Sequence, residues 1–270
     1  MNTWKVHSYL RRGVVLVFIA VALCIQSHAQ TWPPAATSTV PNAPKPQSSV
    51  TLRETPLDIL KDQGAIWSSP ARIRDKDFSY LVPLGLAVTL AITTDHQVMS
   101  EKVSEKKSFN DANTKASNVL VSPFIAAPVV MYGVGHLAQS DHARETGILS
   151  GEALVDSLVV EQGMKLIFMR ERPDIDGARG KFFQTSVGVD GSFPSNHSML
   201  AWSSAAVLSE EYPSTLNQLA FYGVATGVSI TRVLGQQHFP SDVLVGSAFG
   251  WMIGHYVYKK HHRWHTEIYR

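Results

Sequence analysis

The chain has 270 residues, of which 44% are hydrophobic and 17% charged, a composition that suits one sizeable folded domain with appended segments. Its 24 basic and 22 acidic residues give a formal charge of only +2, and this near balance argues against general affinity for nucleic acid. The single cysteine, Cys24, lies close to the N-terminus. The chain beyond it therefore has no disulfide and must be stabilised by packing.

Residues 1–29 have the pattern of a secretory signal peptide. Lys5, Arg11 and Arg12 precede the apolar run 13–25, and small residues then predict cleavage after Ala29. The run is short for a membrane-spanning helix. Without this leader the chain has 21 basic and 22 acidic residues, so the basic character belongs to the leader. We expect an exported, periplasmic protein.

Residues 30–56 are rich in Pro, Ser, Thr and Ala and predict a disordered tether, because such a stretch buries too little apolar surface to offset its ordering entropy. Residues 57–77 predict a short collar with one brief helix over 57–62. Residues 78–260 form the predicted helical domain. Residues 261–270 predict a solvated basic tail that contains His261, His262 and His265.

The domain is predicted to be all-α, a compact bundle of about six principal helices, because helical periodicity recurs between polar breaks and no alternating strand pattern is convincing. The predicted helices cover residues 79–94, 119–138, 143–170, 195–210, 214–233 and 240–258.

The sequence allows two relations to a membrane. The run 119–138 is long and apolar enough to cross one, and Gly246, Gly250 and Gly254 permit close helix contact. The third predicted helix, however, carries several acidic residues that would be costly in hydrocarbon unless they face a polar interior. A periplasmic domain that contacts a membrane is the favoured interpretation.

Residues 231–242 hold the first group of chemically useful side chains. Pro240 can open a helix, which would place His238 at the helix mouth and Asp242 in the first turn. We expect the Asp242 carboxylate to reach the nearer imidazole nitrogen and leave the other free to attack. Arg232 offers planar donors suited to phosphate oxygens. A capping Asp, a packed His and a surface Arg are the alternative.

Two further stretches carry related chemistry. Lys165 and Arg172, seven residues apart, would share one helical face, with Pro173 just beyond to end the helix. Ser195 has the pattern of an N-cap, so that its hydroxyl and the following N–H groups could cradle a phosphate. His197 in the first turn could protonate a leaving oxygen. A solvated cationic face and an ordinary cap are the rival explanations.

These three spaced motifs, Lys-x6-Arg-Pro, Pro-Ser-x-His and Arg-x5-His-x3-Asp, together resemble the signature of the type-2 phosphatidic acid phosphatase superfamily. That superfamily includes lipid phosphate phosphatases, bacterial nonspecific acid phosphatases and vanadium haloperoxidases. The resemblance covers roughly residues 78–258. Two positions depart from the commonest pattern, since Asn196 stands in place of a glycine and Thr231 in place of a serine.

The resemblance implies a role for each motif residue. His238 corresponds to the nucleophile that becomes phosphohistidine, Asp242 to its orienting carboxylate, and His197 to the acid that protonates the leaving alcohol. The implied phosphate-binding residues are Lys165, Arg172, Ser195, Asn196 and Arg232. The resemblance also implies hydrolysis without a metal ion or other cofactor, and three cations can supply the charge neutralisation.

The substrate is expected to be a lipid phosphate or a soluble phosphomonoester, with residues 174–193 as the determinant of choice between them. A vanadate-dependent haloperoxidase, with vanadate bound as a phosphate analogue, and a phosphotransferase would use the same site. A non-enzymatic envelope binding protein is a further alternative. The sequence leaves the oligomeric state open.

Overall fold

The computed structural model describes residues 50–263, and within that range the chain forms seven α-helices and no strand. The predicted leader and most of the predicted tether lie outside the described residues, as does His265. The helices are α1 (Thr55–Trp67), α2 (Phe78–Glu101), α3 (Lys107–Leu137), α4 (Asp141–Phe168), α5 (Asn196–Glu211), α6 (Thr215–Leu234) and α7 (Pro240–His261). The all-α prediction is confirmed.

Helix α5 is the centre of the bundle, because it contacts α3, α4, α6 and α7. One apolar cluster joins α5 to α3, α4 and α6 through residues such as Phe124, Leu208 and Phe221. A second joins it to α4 and α7 through Leu149 and Met199. Each such fully buried side chain contributes about 1.5–3 kcal/mol. These clusters fix the helix ends from which the polar side chains project.

The glycine stripe of α7 sets its distance from α5. A Cβ built at Gly246, Gly250 or Gly254 would lie 2.7, 2.3 or 2.2 Å from a backbone oxygen of α5, closer than any real contact. The predicted close helix contact is therefore confirmed. It fixes the N-terminus of α5 against that of α7, which is where two of the three motifs lie.

Several helix boundaries differ from the predictions. Helices α1 and α2 run beyond the predicted ends at residues 62 and 94, to Trp67 and Glu101, and the boundaries of α3 and α4 differ as well. Helix α3 begins at Lys107, well before residue 119, because its polar first turns carry no apolar periodicity and no side-chain cap. Helix α4 ends at Phe168 because Met169 adopts the left-handed conformation, with φ 38°. Arg172 thus lies in a loop, and the prediction that Lys165 and Arg172 share one helical face was wrong.

The predicted solvated tail was also wrong for the residues that the structure describes. Helix α7 continues to His261, whose side chain is buried. His262 lies 3.1 Å from Glu211 and 3.3 Å from Glu145. Buried carboxylates at this end of the bundle hold both imidazoles. The composition of the tail does not reveal these carboxylates, because they lie far from it in the sequence.

Helices α2 and α3 are long and apolar enough to cross a membrane. Each of these helices has one most apolar stretch. None of the residues in that stretch of α2 are buried, and 28% of those in that stretch of α3 are buried. The α2 face exposes Leu86 and Leu90, each about two-thirds accessible. An apolar surface of this extent on a folded chain is typical of contact with lipid or with another protein.

Candidate active site

The three motifs meet at one end of the bundle, where α4 and α6 end and α5 and α7 begin. The backbone N–H of Ser195 donates to the carbonyl of Asp242 at 3.1 Å, which joins the beginnings of α5 and α7. The Arg172 guanidinium donates to the carbonyl of Gln237 at 3.2 Å. Residues far apart in sequence are thus brought together at one end of the bundle, which is called the pocket below.

His238 is almost completely buried in this pocket, with 1% of its surface accessible. Its Nδ1 lies 2.7 Å from the carbonyl oxygen of Ser192. Because a carbonyl can only accept, Nδ1 carries the proton and Nε2 keeps its lone pair. Burial, together with the charges of Arg232, Arg172 and Lys165, holds the His238 pKa well below its ordinary value. The ring is therefore neutral and suited to nucleophilic attack.

Asp242 is placed differently from the prediction. Its Oδ2 lies 3.7 Å from Nδ1 of His238, too far for a hydrogen bond, and the Ser192 carbonyl takes the expected position. Asp242 instead accepts from the backbone N–H of Phe239 at 2.8 Å and from Arg170 at 2.6 Å. Burial raises its pKa to about 6. Asp242 thus fixes the first turn of α7 and with it the backbone next to His238.

Arg170 and Asp95 form a buried network behind the pocket that the motifs did not reveal. Arg170, 2% accessible, donates to Asp242 on one side and to Asp95 on the other, the latter at 2.8 Å. Its guanidinium carbon lies 4.0 and 4.6 Å from the ring centroids of Phe239 and Phe182. One planar cation thereby joins α2, the loop after α4 and α7, a task suited to arginine.

The charges of the three predicted phosphate-binding cations act on both His197 and His238. Lys165 Nζ lies 2.8 Å from Glu161 Oε1. Arg172 is oriented by the Asp190 carbonyl at 2.9 Å. Arg232 is buried and donates to Ser117 at 3.3 Å, and burial and the Arg172 charge lower its pKa to about 10. Such mutual repulsion between cations favours a bound anion.

Two buried polar atoms at this place have no hydrogen-bond partner among residues 50–263. They are Oγ of Ser195 and Nε of Arg232. Ser195 holds the N-cap position of α5 as predicted, but its hydroxyl makes no capping bond. Asn196 begins the helix with ordinary helical geometry, so the left-handed conformation that asparagine tolerates is not needed. Buried donors left unpaired are costly unless a ligand satisfies them.

His197 lies in the first turn of α5, half-buried beside the same cations. Its Nε2 lies 2.8 Å from Oδ1 of Asn118 on α3, a partner that the sequence analysis missed. Burial, Arg232, His238 and the other two cations lower the pKa of His197 to about 3. Both imidazoles are therefore within the electrostatic field of one cationic cluster.

The chemistry of this pocket suits a tetrahedral oxyanion. Three cations, an unpaired hydroxyl and the N–H groups at the beginning of α5 can bind equatorial oxygens, while two neutral imidazoles can attack and transfer a proton. Among residues 50–263, the two groups of three metal-ligating side chains involve Asp62, Glu152 and His261, and Glu145, Glu211 and His262. Both lie at the opposite end of the bundle.

Fold and site together define an all-α protein whose helix ends bring two imidazoles and three cations close together. A model of the PAP2 superfamily matches residues 146–266, the segment that carries all three motifs. Over this segment the chain is similar to the PAP2 superfamily, in agreement with the resemblance inferred from the motifs.

Two similar proteins have descriptions that name a phosphatase. Lipid A 1-phosphatase of Porphyromonas gingivalis is 29% identical over 181 residues, which cover 66% of this chain and 37% of that relative. The chain thus spans little more than a third of the relative's length. The second is a crystal structure described as the first transmembrane PAP2 type phosphatidylglycerolphosphate phosphatase, from Bacillus subtilis. It aligns with this chain with a TM-score of 0.47 and 20% sequence identity. The alignment covers 76% of this chain and 95% of that one.

Proposed function

We propose that this protein hydrolyses the phosphomonoester of a membrane lipid through a phosphohistidine on His238, without a metal ion at the pocket. The observation that carries this proposal is the convergence of His238, His197 and three cations around two buried, unpaired donors, Ser195 Oγ and Arg232 Nε. The match of the PAP2 superfamily model to the segment that carries these residues supports it.

In the first step, Nε2 of His238 attacks phosphorus, the N–P bond forms and the P–O bond to the lipid alcohol breaks. His197 gives its proton to the departing oxygen. In the second step, water attacks phosphorus, His197 takes up the water proton, and the N–P bond breaks to release inorganic phosphate. Lys165, Arg172 and Arg232 neutralise the charge on the equatorial oxygens throughout.

Protonation of His197 is coupled to substrate binding in this scheme. In the phosphate-free pocket, burial and the nearby cations hold its pKa at about 3. A bound phosphate dianion offsets the cations, and the proton affinity of the imidazole rises again. The acid needed for departure of the alcohol is thus produced by the substrate itself.

Two features favour a lipid over a soluble ester. The α2 face is apolar and exposed along its length. A largely apolar cavity of about 1170 Å³, lined by residues such as Leu84, Trp202 and Leu244, lies between α2, α5, α6 and α7. Its wall includes Ser229, which bonds to Ser198 beside His197. Such a cavity suits hydrocarbon chains whose phosphate lies in the pocket.

The test is phosphate release from a panel of lipid phosphates and soluble esters, in the presence of chelator, by wild type, His238→Ala and the control His136→Ala. We expect the wild type and the control, whose histidine is exposed at the far end of α3, to hydrolyse lipid phosphates in chelator. His238→Ala should lose at least about 10³-fold. Activity that disappears in chelator, or a fully active His238→Ala, contradicts the proposal.

A further inference from the structure

A second cluster of ionisable side chains lies at the end of the bundle remote from the pocket. It consists of Asp62 on α1, Glu152 on α4 and His261 on α7, whose ligand atoms all lie within 4.8 Å of one another. Nε2 of His261 is 2.9 Å from Asp62 Oδ2 and 3.1 Å from Glu152 Oε1. The three side chains are 0%, 1% and 8% accessible, so solvent does not screen them.

This cluster has more acceptor oxygens than donors. Asp156 lies one turn beyond Glu152 and is fully buried. Among residues 50–263, neither Oε1 of Glu152 nor Oδ2 of Asp156 accepts a hydrogen bond. The donors around the three carboxylates are the His261 imidazole, the Lys260 ammonium and the Tyr256 hydroxyl, which both bond to the other oxygen of Asp62, and the Gln63 amide, which bonds to Oδ1 of Asp156. Only the first two of these carry positive charge.

We propose that Asp62, Glu152 and His261 bind a divalent transition-metal ion of the Zn²⁺ class. One imidazole nitrogen and two carboxylate oxygens form a donor set that zinc uses, with bonds of about 2.0–2.2 Å. In a tetrahedral site such bonds separate neighbouring ligand atoms by about 3.3 Å, close to the 2.9 and 3.1 Å between His261 and the two carboxylates. Oε1 of Glu152, which accepts no hydrogen bond, lies 3.1 Å from the imidazole nitrogen that would share the ion.

The position of the cluster makes this ion structural. From Asp242 to His261, α7 rises about 28 Å at 1.5 Å per residue, so the ion is too far from the pocket to act on phosphate. It joins three helices and fastens α1 to the bundle beside the contact of Trp67 with Gly163. Its loss should therefore lower stability and leave the chemistry of the pocket unchanged, which makes this inference independent of the proposed function.

The experiment uses the full chain without a polyhistidine tag, purified in detergent, stripped with chelator and titrated with Zn²⁺ or Co²⁺. We expect one tightly bound equivalent and the visible absorption of four-coordinate Co²⁺. The thermal midpoint should rise by about 5–10 °C at a hundredfold excess of Zn²⁺ over its dissociation constant. X-ray absorption of the zinc-loaded wild type should show one imidazole among the ligands, a readout that needs no variant.

Variants then locate the ion. Glu152→Gln and His261→Gln should each weaken Zn²⁺ binding by about a hundredfold. The control Glu210→Gln should bind as wild type, because Glu210 forms a carboxylate–imidazole pair with His255, at 2.9 Å, outside the cluster. Absence of stoichiometric binding, unchanged binding in both cluster variants, or loss of binding only in Glu145→Gln would overturn the proposal.

Discussion

Replacing Gly250 by alanine tests whether the α5–α7 contact positions the pocket. The new Cβ would lie 2.3 Å from the backbone oxygen of Met199 and 3.0 Å from two further backbone atoms. Because backbone in a helix cannot rotate away as a side chain can, α5 must move by roughly 1 Å to restore an ordinary contact. That movement carries Ser195 and His197 away from His238.

The magnitude follows from two opposing effects. Overpacking a close contact costs about 1–3 kcal/mol, whereas alanine is better than glycine inside a helix by about 1 kcal/mol. Gly250→Ala should therefore lose about 0–2 kcal/mol of stability. Gly223→Ala on α6, where nothing lies within 4 Å of a new Cβ, should gain about 1 kcal/mol and provides a matched control.

The assay combines thermal unfolding in detergent with phosphate release at a temperature where both variants stay folded. A displacement of about 1 Å at a reacting centre costs on the order of 10²-fold in rate, and we expect that loss for Gly250→Ala alone. If Gly250→Ala is as stable and as active as Gly223→Ala, the helix contact does not position the pocket.

Three further predictions concern the buried network, the loop and pH. Arg170→Met should destabilise the protein by about 3–5 kcal/mol, because it leaves the Asp95 and Asp242 carboxylates without their cation. Adding Asp95→Asn should recover part of that loss, as measured by chemical unfolding. Strictly additive losses of stability in the double variant would exclude the network. Phe183 lies on the loop 174–193 and is 64% exposed. Phe183→Ser should lower hydrolysis of lipid phosphate in vesicles but not of a soluble ester, whereas Leu216→Ser, exposed elsewhere, should change neither rate. An unchanged ratio of lipid to soluble-ester hydrolysis in Phe183→Ser would remove the loop from substrate choice. Relative to His197→Gln, the phosphate-free wild type should lose stability as pH falls from about 6.5 towards 3, because the unfolded wild type takes up a proton on His197 that the folded chain, with a His197 pKa of about 3, does not. A stability difference between the two proteins that does not change with pH would refute the assignment.

The sequence was sufficient for the all-α bundle and for the helix ends that carry the motif residues, because both depend on patterns within single segments. Helical periodicity located α4 to α7 to within a few residues. The motif spacings placed His238, Arg232 and Ser195 where two helices begin and one ends. A proline after a histidine and a serine before an apolar run report helix starts directly.

What the sequence could not supply depends on contacts between segments. Asp95 and Asn118 lie in short polar stretches beside apolar runs, with no motif to mark them, and only the packed bundle places them against Arg170 and His197. The partner of the His238 ring is a main-chain carbonyl, which no residue type marks. His261 resembled a residue of a frayed tail because its partners, Asp62 and Glu152, come from distant helices.

The central claim is that His238 accepts the phosphoryl group. Its most direct test is to mix the protein with a lipid phosphate, quench within the first turnover in alkaline denaturant, and locate the added phosphate by mass spectrometry of the peptides. We predict a phosphohistidine at residue 238 in the wild type, enriched in His197→Gln because hydrolysis of the intermediate is slowed, and absent from His238→Ala. Product formation with no phosphorylated His238 at any time in the first turnover would contradict the account.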